Sequence, residues 1–208
     1  MKTLLFFAFL SLRASASVVY IDSNALTTTN NSSHPTVDLT GKLLPNPSWA
    51  EALPGSDWIS YGPTGDDKDP GYFSPPDGTE ITFTTEFMLT GPITGGSLDV
   101  LADDSTSVIL NGHELIAADT RRGARCSNVP VGCLVSTEGR FTFAELDPYL
   151  VDGENTLSFG VVQVAGSSFG LDFAASVDDA PTPEPGTVAL IGAALLGLAA
   201  LRRLSYRP

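Results

Sequence analysis

The side chains able to do chemistry are gathered in a few places. Gly166-Ser167-Ser168-Phe169-Gly170 has the Gly-x-Ser-x-Gly spacing of a serine nucleophile, which needs a strand-to-helix elbow and a histidine later in the chain. His34 and His113 both precede it and a strand-like run follows, so a turn between strands is expected there. Asp66, Asp67, Asp69 and Asp77 crowd a Pro- and Gly-containing loop, while Asp103 and Asp104 share a turn. Hard cations such as Ca2+ take about six to eight oxygen ligands, which clustered aspartates and backbone carbonyls would supply. The spacing departs from the EF-hand pattern, and solvated acidic loops are the competing reading of a structural Ca2+ site. Trp49, Trp58, Tyr61, Tyr72 and Phe73 could offer stacking faces to a sugar. The tryptophans equally suit a core, and Tyr72 and Phe73, in a polar turn-rich segment, are the better exposed candidates. Paired carboxylates for glycoside hydrolysis would have to be recognised by their separation in space, and no pair stands out. No catalytic residue is assigned, and a non-enzymatic role is expected.

Two cysteines and two histidines are too few for a protein-only zinc site. Cys126 and Cys133 flank Ser127-Asn128-Val129-Pro130-Val131-Gly132, and in an oxidising compartment the pair forms a disulfide around a small loop; two free thiols are the alternative. Twenty-four acidic against 11 basic residues give a net charge of −13, and residues 17–182 alone hold 6 basic and 23 acidic residues, or −17. Affinity for nucleic acid comes mainly from clustered Lys and Arg, so nucleic acid is excluded as a partner.

The elements that must position these groups are short strands. Ile81, Phe83, Thr85, Phe87 and Leu89 alternate with Thr82, Thr84, Glu86 and Met88, the period of a half-buried strand. Similar patterns fit Leu98/Val100, Val108/Leu110, Phe141/Phe143, Leu157/Phe159/Val161 and Leu171/Phe173/Ala175/Val177. Turns are expected at Thr94-Gly95-Gly96, Asn111-Gly112 and Asp152-Gly153-Glu154. One all-β domain over residues 17–180, a two-sheet antiparallel sandwich, follows from that pattern.

The two ends read as targeting segments. Lys2, the apolar run Leu4 to Leu12 and the small-x-small Ala14-Ser15-Ala16 describe a signal peptide over residues 1–16, removed by signal peptidase. Pro183-Glu184-Pro185-Gly186 precedes an apolar stretch, Thr187 to Leu201, closed by Arg202 and Arg203. Basic residues after a membrane segment stay cytoplasmic, which puts the preceding chain outside. Fifteen helical residues rise about 22 Å, short of the ~30 Å hydrocarbon core, so helix 187–201 is a marginal anchor, as a temporary stop would be.

Those three parts, over residues 181–208, resemble a PEP-CTERM sorting signal. The resemblance implies recognition by a membrane-embedded exosortase in a Gram-negative bacterium, processing near Pro183-Glu184-Pro185, and transient inner-membrane anchoring before delivery to the cell surface or extracellular matrix. An ordinary single-pass anchor is the competing reading.

Within the domain, Val108, Leu110, Asn111 and Gly112, followed by Leu146, Pro148, Tyr149, Leu150, Gly153, Asn155 and Leu157 and a last strand from Phe169, resemble the galactose-binding-like jelly roll over residues 80–175. Trp49 to Tyr61 is similar to the N-terminal part of such domains in exported PEP-CTERM proteins. The resemblances imply a surface or matrix protein whose sandwich binds carbohydrate or matrix polymer. A structural or adhesion module acting through protein contacts is the alternative, since function resides in the site and not in the fold.

Overall fold

The computed structural model describes residues 17–164 and 166–179, together with the helical residues 191, 192, 194, 195 and 198. The expected signal peptide, Pro183, Glu184 and Pro185, and Arg202 and Arg203 lie outside the described residues. Among the described residues no helix is long and apolar enough to cross a membrane.

Eleven strands follow in order: β1 (Ser17–Asp22), β2 (Thr29–Asn30), β3 (Val37–Asp38), β4 (Ile59–Ser60), β5 (Glu80–Leu89), β6 (Ile93–Asp103), β7 (Ser105–Leu110), β8 (His113–Ile116), β9 (Gly139–Thr142), β10 (Gly153–Val162) and β11 (Gly170–Asp179). One sheet runs β3-β4-β11-β6-β9 with β1 also on β11; the other runs β2-β5-β10-β7-β8, and the pairings within both are antiparallel. The chain changes sheet at every connection except β3–β4 and β7–β8, the wrapping of a jelly roll.

Alternation decides which face is buried. Ile81, Phe83, Thr85 and Leu89 of β5 face Leu98, Val100 and Ala102 of β6 and Leu171, Phe173 and Ala175 of β11 across one apolar core. Phe159 and Phe173, one from each sheet, stack at its centre with ring centroids 4.4 Å apart.

Register defines two ends. Glu80 lies opposite Val162 and Asp103 opposite Gly170, so the connections after β4, β6 and β10 meet at what we call the upper end. Ser17 lies opposite Asp179, so the described chain leaves the sandwich from the lower end.

Two local expectations are corrected. Thr94, Gly95 and Gly96 belong to β6, and the bend comes earlier, where the Thr90 backbone N–H and hydroxyl both donate to Asp179 Oδ2 at 2.8 and 2.9 Å. The glycines are there for space, because a Cβ on Gly95 would overlap the Asp178 carboxylate. Phe143 leaves the strand to open helix α1 (Phe143–Leu146), because Glu145 accepts the Thr142 N–H at 2.7 Å and caps the turn.

Candidate functional site

Four segments converge at the upper end: the residues around Trp49, the Asp103-Asp104 junction, the cysteine loop and the β10–β11 connection. The odd face of β6 explains the first contact. Leu101 alternates with Val100 and Ala102, so it points away from the main core and seeds a second one with Leu39, Trp49, Trp58 and Cys133. A strap over residues 37–58 covers that face.

Asp172, opposite Leu101 in register, fastens the strap. Its carboxylate accepts hydrogen bonds from Ser23 Oγ at 3.0 Å, Ser56 Oγ at 2.5 Å and the Leu53 N–H at 2.8 Å. It has no exposure, and burial raises its pKa to about 6 against the pull of those donors.

Asp103, 3% exposed, accepts the Trp49 indole N–H at 2.7 Å on Oδ2. Burial, and secondarily the charge of Asp104, pushes its pKa well above the usual carboxylate range. Its side-chain hydrogen bond with the neighbouring Asp104 acts in the same direction. Asp104 Oδ2 also accepts the Val164 N–H at 2.9 Å, which ties down the β10–β11 connection.

Cys126 and Cys133 are joined by a disulfide with Cα atoms 4.9 Å apart. Their loop is pinned on both sides: the Ala50 N–H donates to the Cys133 carbonyl at 2.8 Å and the Ala102 N–H to the Gly132 carbonyl at 2.9 Å. A Cβ on Gly132 would overlap the Cys126 carbonyl oxygen, so the loop requires glycine there. Between loop and strap opens a cleft of about 260 Å³, whose polar lining includes Asn46, Ser48, Asp104, Arg125, Ser127 and Ser167. Arg125 is exposed at its rim. Hydroxyls, an amide, a carboxylate and a guanidinium in one concavity can hydrogen-bond a polar ligand through both donors and acceptors.

The sequence candidates end in different places. Trp49 is 9% and Trp58 1% exposed, stacked on each other 4.3 Å apart, with Trp58 Nε1 donating to the Ala50 carbonyl at 3.1 Å. Of the two readings open for the tryptophans the structure shows the core one: they stack within the second cluster, and Trp49 is also among the residues lining the cleft. Phe73 is 38% exposed and Tyr72 half-buried. Phe73 packs edge-on against Tyr61 at 5.6 Å, and Ser74 Oγ donates to the Ser167 carbonyl at 2.9 Å, so this aromatic pair adjoins the loop that lines the cleft.

Two of the carboxylates weighed as Ca2+ ligands accept backbone hydrogen bonds. Asp69 is buried and accepts the Leu44 N–H at 2.9 Å, and Asp66 accepts the Lys68 N–H at 3.0 Å, so the first ties its loop to the strap and the second braces the loop itself. Among the described residues the group whose ligand atoms converge within 4.8 Å is Asp103, Cys126 and Cys133, and both of its sulfurs are spent in the disulfide. Ser168 is 4% exposed; its hydroxyl donates to the Gly65 carbonyl at 2.6 Å and accepts from Asn46 Nδ2 at 2.7 Å, holding the turn between β10 and β11. Arg125 and Asp172 were not singled out from the sequence. Arg125 does adjoin Cys126, but nothing local marks Asp172, whose partners are over 100 positions away.

Residues 181–203 match the PEP-CTERM protein-sorting motif. The motif marks an exported protein and implies processing by an exosortase. No curated protein matches the chain. Among solved structures the chain is similar to a family 35 carbohydrate binding module from Clostridium thermocellum, with 10% identity and a TM-score of 0.38 over 76% of this chain and 97% of that one. It is also similar to the CBM35 from Paenibacillus barcinonensis, with 12% identity and a TM-score of 0.35 over 75% of this chain and 95% of that one.

Proposed function

We propose that this chain is a non-enzymatic surface or matrix protein of a Gram-negative bacterium. Signal peptidase removes residues 1–16, the C-terminal helix holds the chain in the inner membrane, and an exosortase-type enzyme processes it near Pro183-Glu184-Pro185. The match over residues 181–203 is the observation that carries delivery. The sandwich then binds carbohydrate or matrix polymer through the upper cleft. That part is supported by a polar concavity, with Phe73 on the adjoining loop, at the end away from the one where β11 stops. Polar groups that fix orientation beside an apolar ring are what a polyhydroxylated ligand requires.

A second reading, a structural or adhesion module working by protein contacts, draws support from the burial of both tryptophans, which removes the widest stacking faces. A glycan array separates the two. Reproducible binding that weakens about tenfold or more in both Arg125→Ala and Phe73→Ala supports the cleft, whereas silence across sugars leaves the adhesion module. Retention of residues 187–208 on protein recovered from the medium or the cell surface would sink the sorting route.

A further inference from the structure

The lower end has a charge pattern of its own. Glu114, Glu145, Asp147, Asp152 and Glu154 are all exposed there, on β8, α1 and the turn into β10. Among residues 17–179 the basic side chains are Lys42, Lys68, Arg121, Arg122, Arg125 and Arg140, and none belongs to that end. Lys42 and Lys68 sit in the strap and upper loops, the Ser105 hydroxyl of the upper end holds Asp119 beside Arg121, and Arg140 is mid-sheet opposite Asp99. A groove of about 270 Å³ opens among these acids, lined by Glu114, Glu145, Leu115, Pro148 and Tyr149. It has the acidic walls and apolar floor that accept the stem and head of a lysine or arginine.

The same end holds the last residue of β11 firmly. Asp179 is 2% exposed and pairs with Ser17 on one side and Ile93 on the other, while its carboxylate takes both Thr90 donors. Three residues separate Asp179 from Pro183, so the chain between them spans at most about 14 Å. An enzyme in the membrane that engages the motif therefore meets the lower end of the folded sandwich at the same time.

We infer that the acidic lower end, with its groove between Glu114 and Glu145, is a docking surface for a basic patch on the exported face of the motif-processing membrane enzyme. The inference rests on the sorting reading above. An anionic lipid surface would repel this end, so a basic protein partner fits the charge and the tether together.

The test follows removal of the C-terminal segment in cells by intact mass against time. Glu114→Lys/Asp147→Lys/Asp152→Lys should slow removal about tenfold or more, because attractive contacts become repulsive. A flexible Gly/Ser insertion of about ten residues between Asp179 and Pro183 should restore the rate of that variant by relieving the forced apposition. An unchanged rate in the charge-reversed chain overturns the docking surface. A faster rate also overturns it, by assigning control to lipid headgroups. Failure of the insertion to rescue overturns the tether. Equal melting temperatures of purified variant and parent exclude misfolding. A parent chain that keeps its C-terminus brings down the sorting reading itself, whereas a processed parent with indifferent variants brings down the docking surface alone.

Discussion

At the lower end of the sandwich β5–β6 and β7–β8 are joined by short turns; at the upper end, beside the one-residue junction of β6 and β7, long segments hold one another. Asn111 and Gly112, with φ of +50° and +80°, make the tight turn between β7 and β8. Asn155 Nδ2 returns to the Val151 carbonyl four residues back at 2.7 Å, and Glu145 caps a helix three residues after Thr142. The upper end instead joins Trp49 to Asp103, 54 positions apart, and Ser23 to Asp172, 149 apart. The concavities at the two ends are of similar volume, about 270 Å³ below and 260 Å³ above, and differ in lining: carboxylates around Leu115, Pro148 and Tyr149 below, mixed donors and acceptors above. Long segments braced from a distance bring side chains of unlike chemistry to one surface, and the cleft with both donors and acceptors is found there.

The largest expected effect tests whether the upper brace is a true second core. Trp58→Ala removes a fully buried indole and its hydrogen bond to Ala50, and should cost about 4 kcal/mol in denaturant unfolding. It should also abolish the near-ultraviolet circular dichroism of the stacked tryptophans. Val151→Ala, at a tip 47% exposed, should change stability by less than about 0.5 kcal/mol. Comparable costs for the two would erase the contrast between the ends.

A second test uses pH. The folded pKa of Asp172, about 6, lies above its ordinary 3.8, so the folded chain holds a proton that the unfolded chain releases. The associated stability is fully present below about pH 4 and is lost as pH rises through about 6, a fall of about 3 kcal/mol at most. Asp103, also raised, adds in the same direction. Denaturation midpoints measured from pH 4 to 7 should therefore decline, and Asp172→Asn should flatten the curve. A rising profile would show that these carboxylates are not buried as described.

The smallest effect probes the lower end. Asn111 Nδ2 donates to the Tyr149 carbonyl and Asn155 Oδ1, and its Oδ1 accepts the Thr156 N–H, all at 2.8 Å. Asn111→Ala should cost about 2 kcal/mol from these lost bonds and the left-handed backbone. Glycan binding at the other end should stay unchanged; loss of binding would couple the two ends and undo their independence.

The legible part of the molecule was the part decided by neighbours in sequence. Period-two alternation marked the main-core faces of β5, β10 and β11, and Asn111-Gly112 marked its turn. The turn expected at Thr94-Gly95-Gly96 failed because glycine serves close approach as readily as bending, and the decisive partner, Asp178, is distant in sequence. Trp49 and Trp58 could be read two ways, since an indole suits a core and a sugar face equally until its surroundings are known.

From the sequence alone came the sandwich class, the acidic surface, the absence of a hydrolase order of residues and the C-terminal sorting motif, because each depends on composition, period or contiguous residues. Tertiary structure alone decided that the outer face of β6 carries a second core, that Asp103 and Asp172 lie buried beneath it, and that the basic residues avoid the end from which β11 leaves. Those facts depend on which distant segments share a surface, and burial then sets whether a carboxylate keeps its proton.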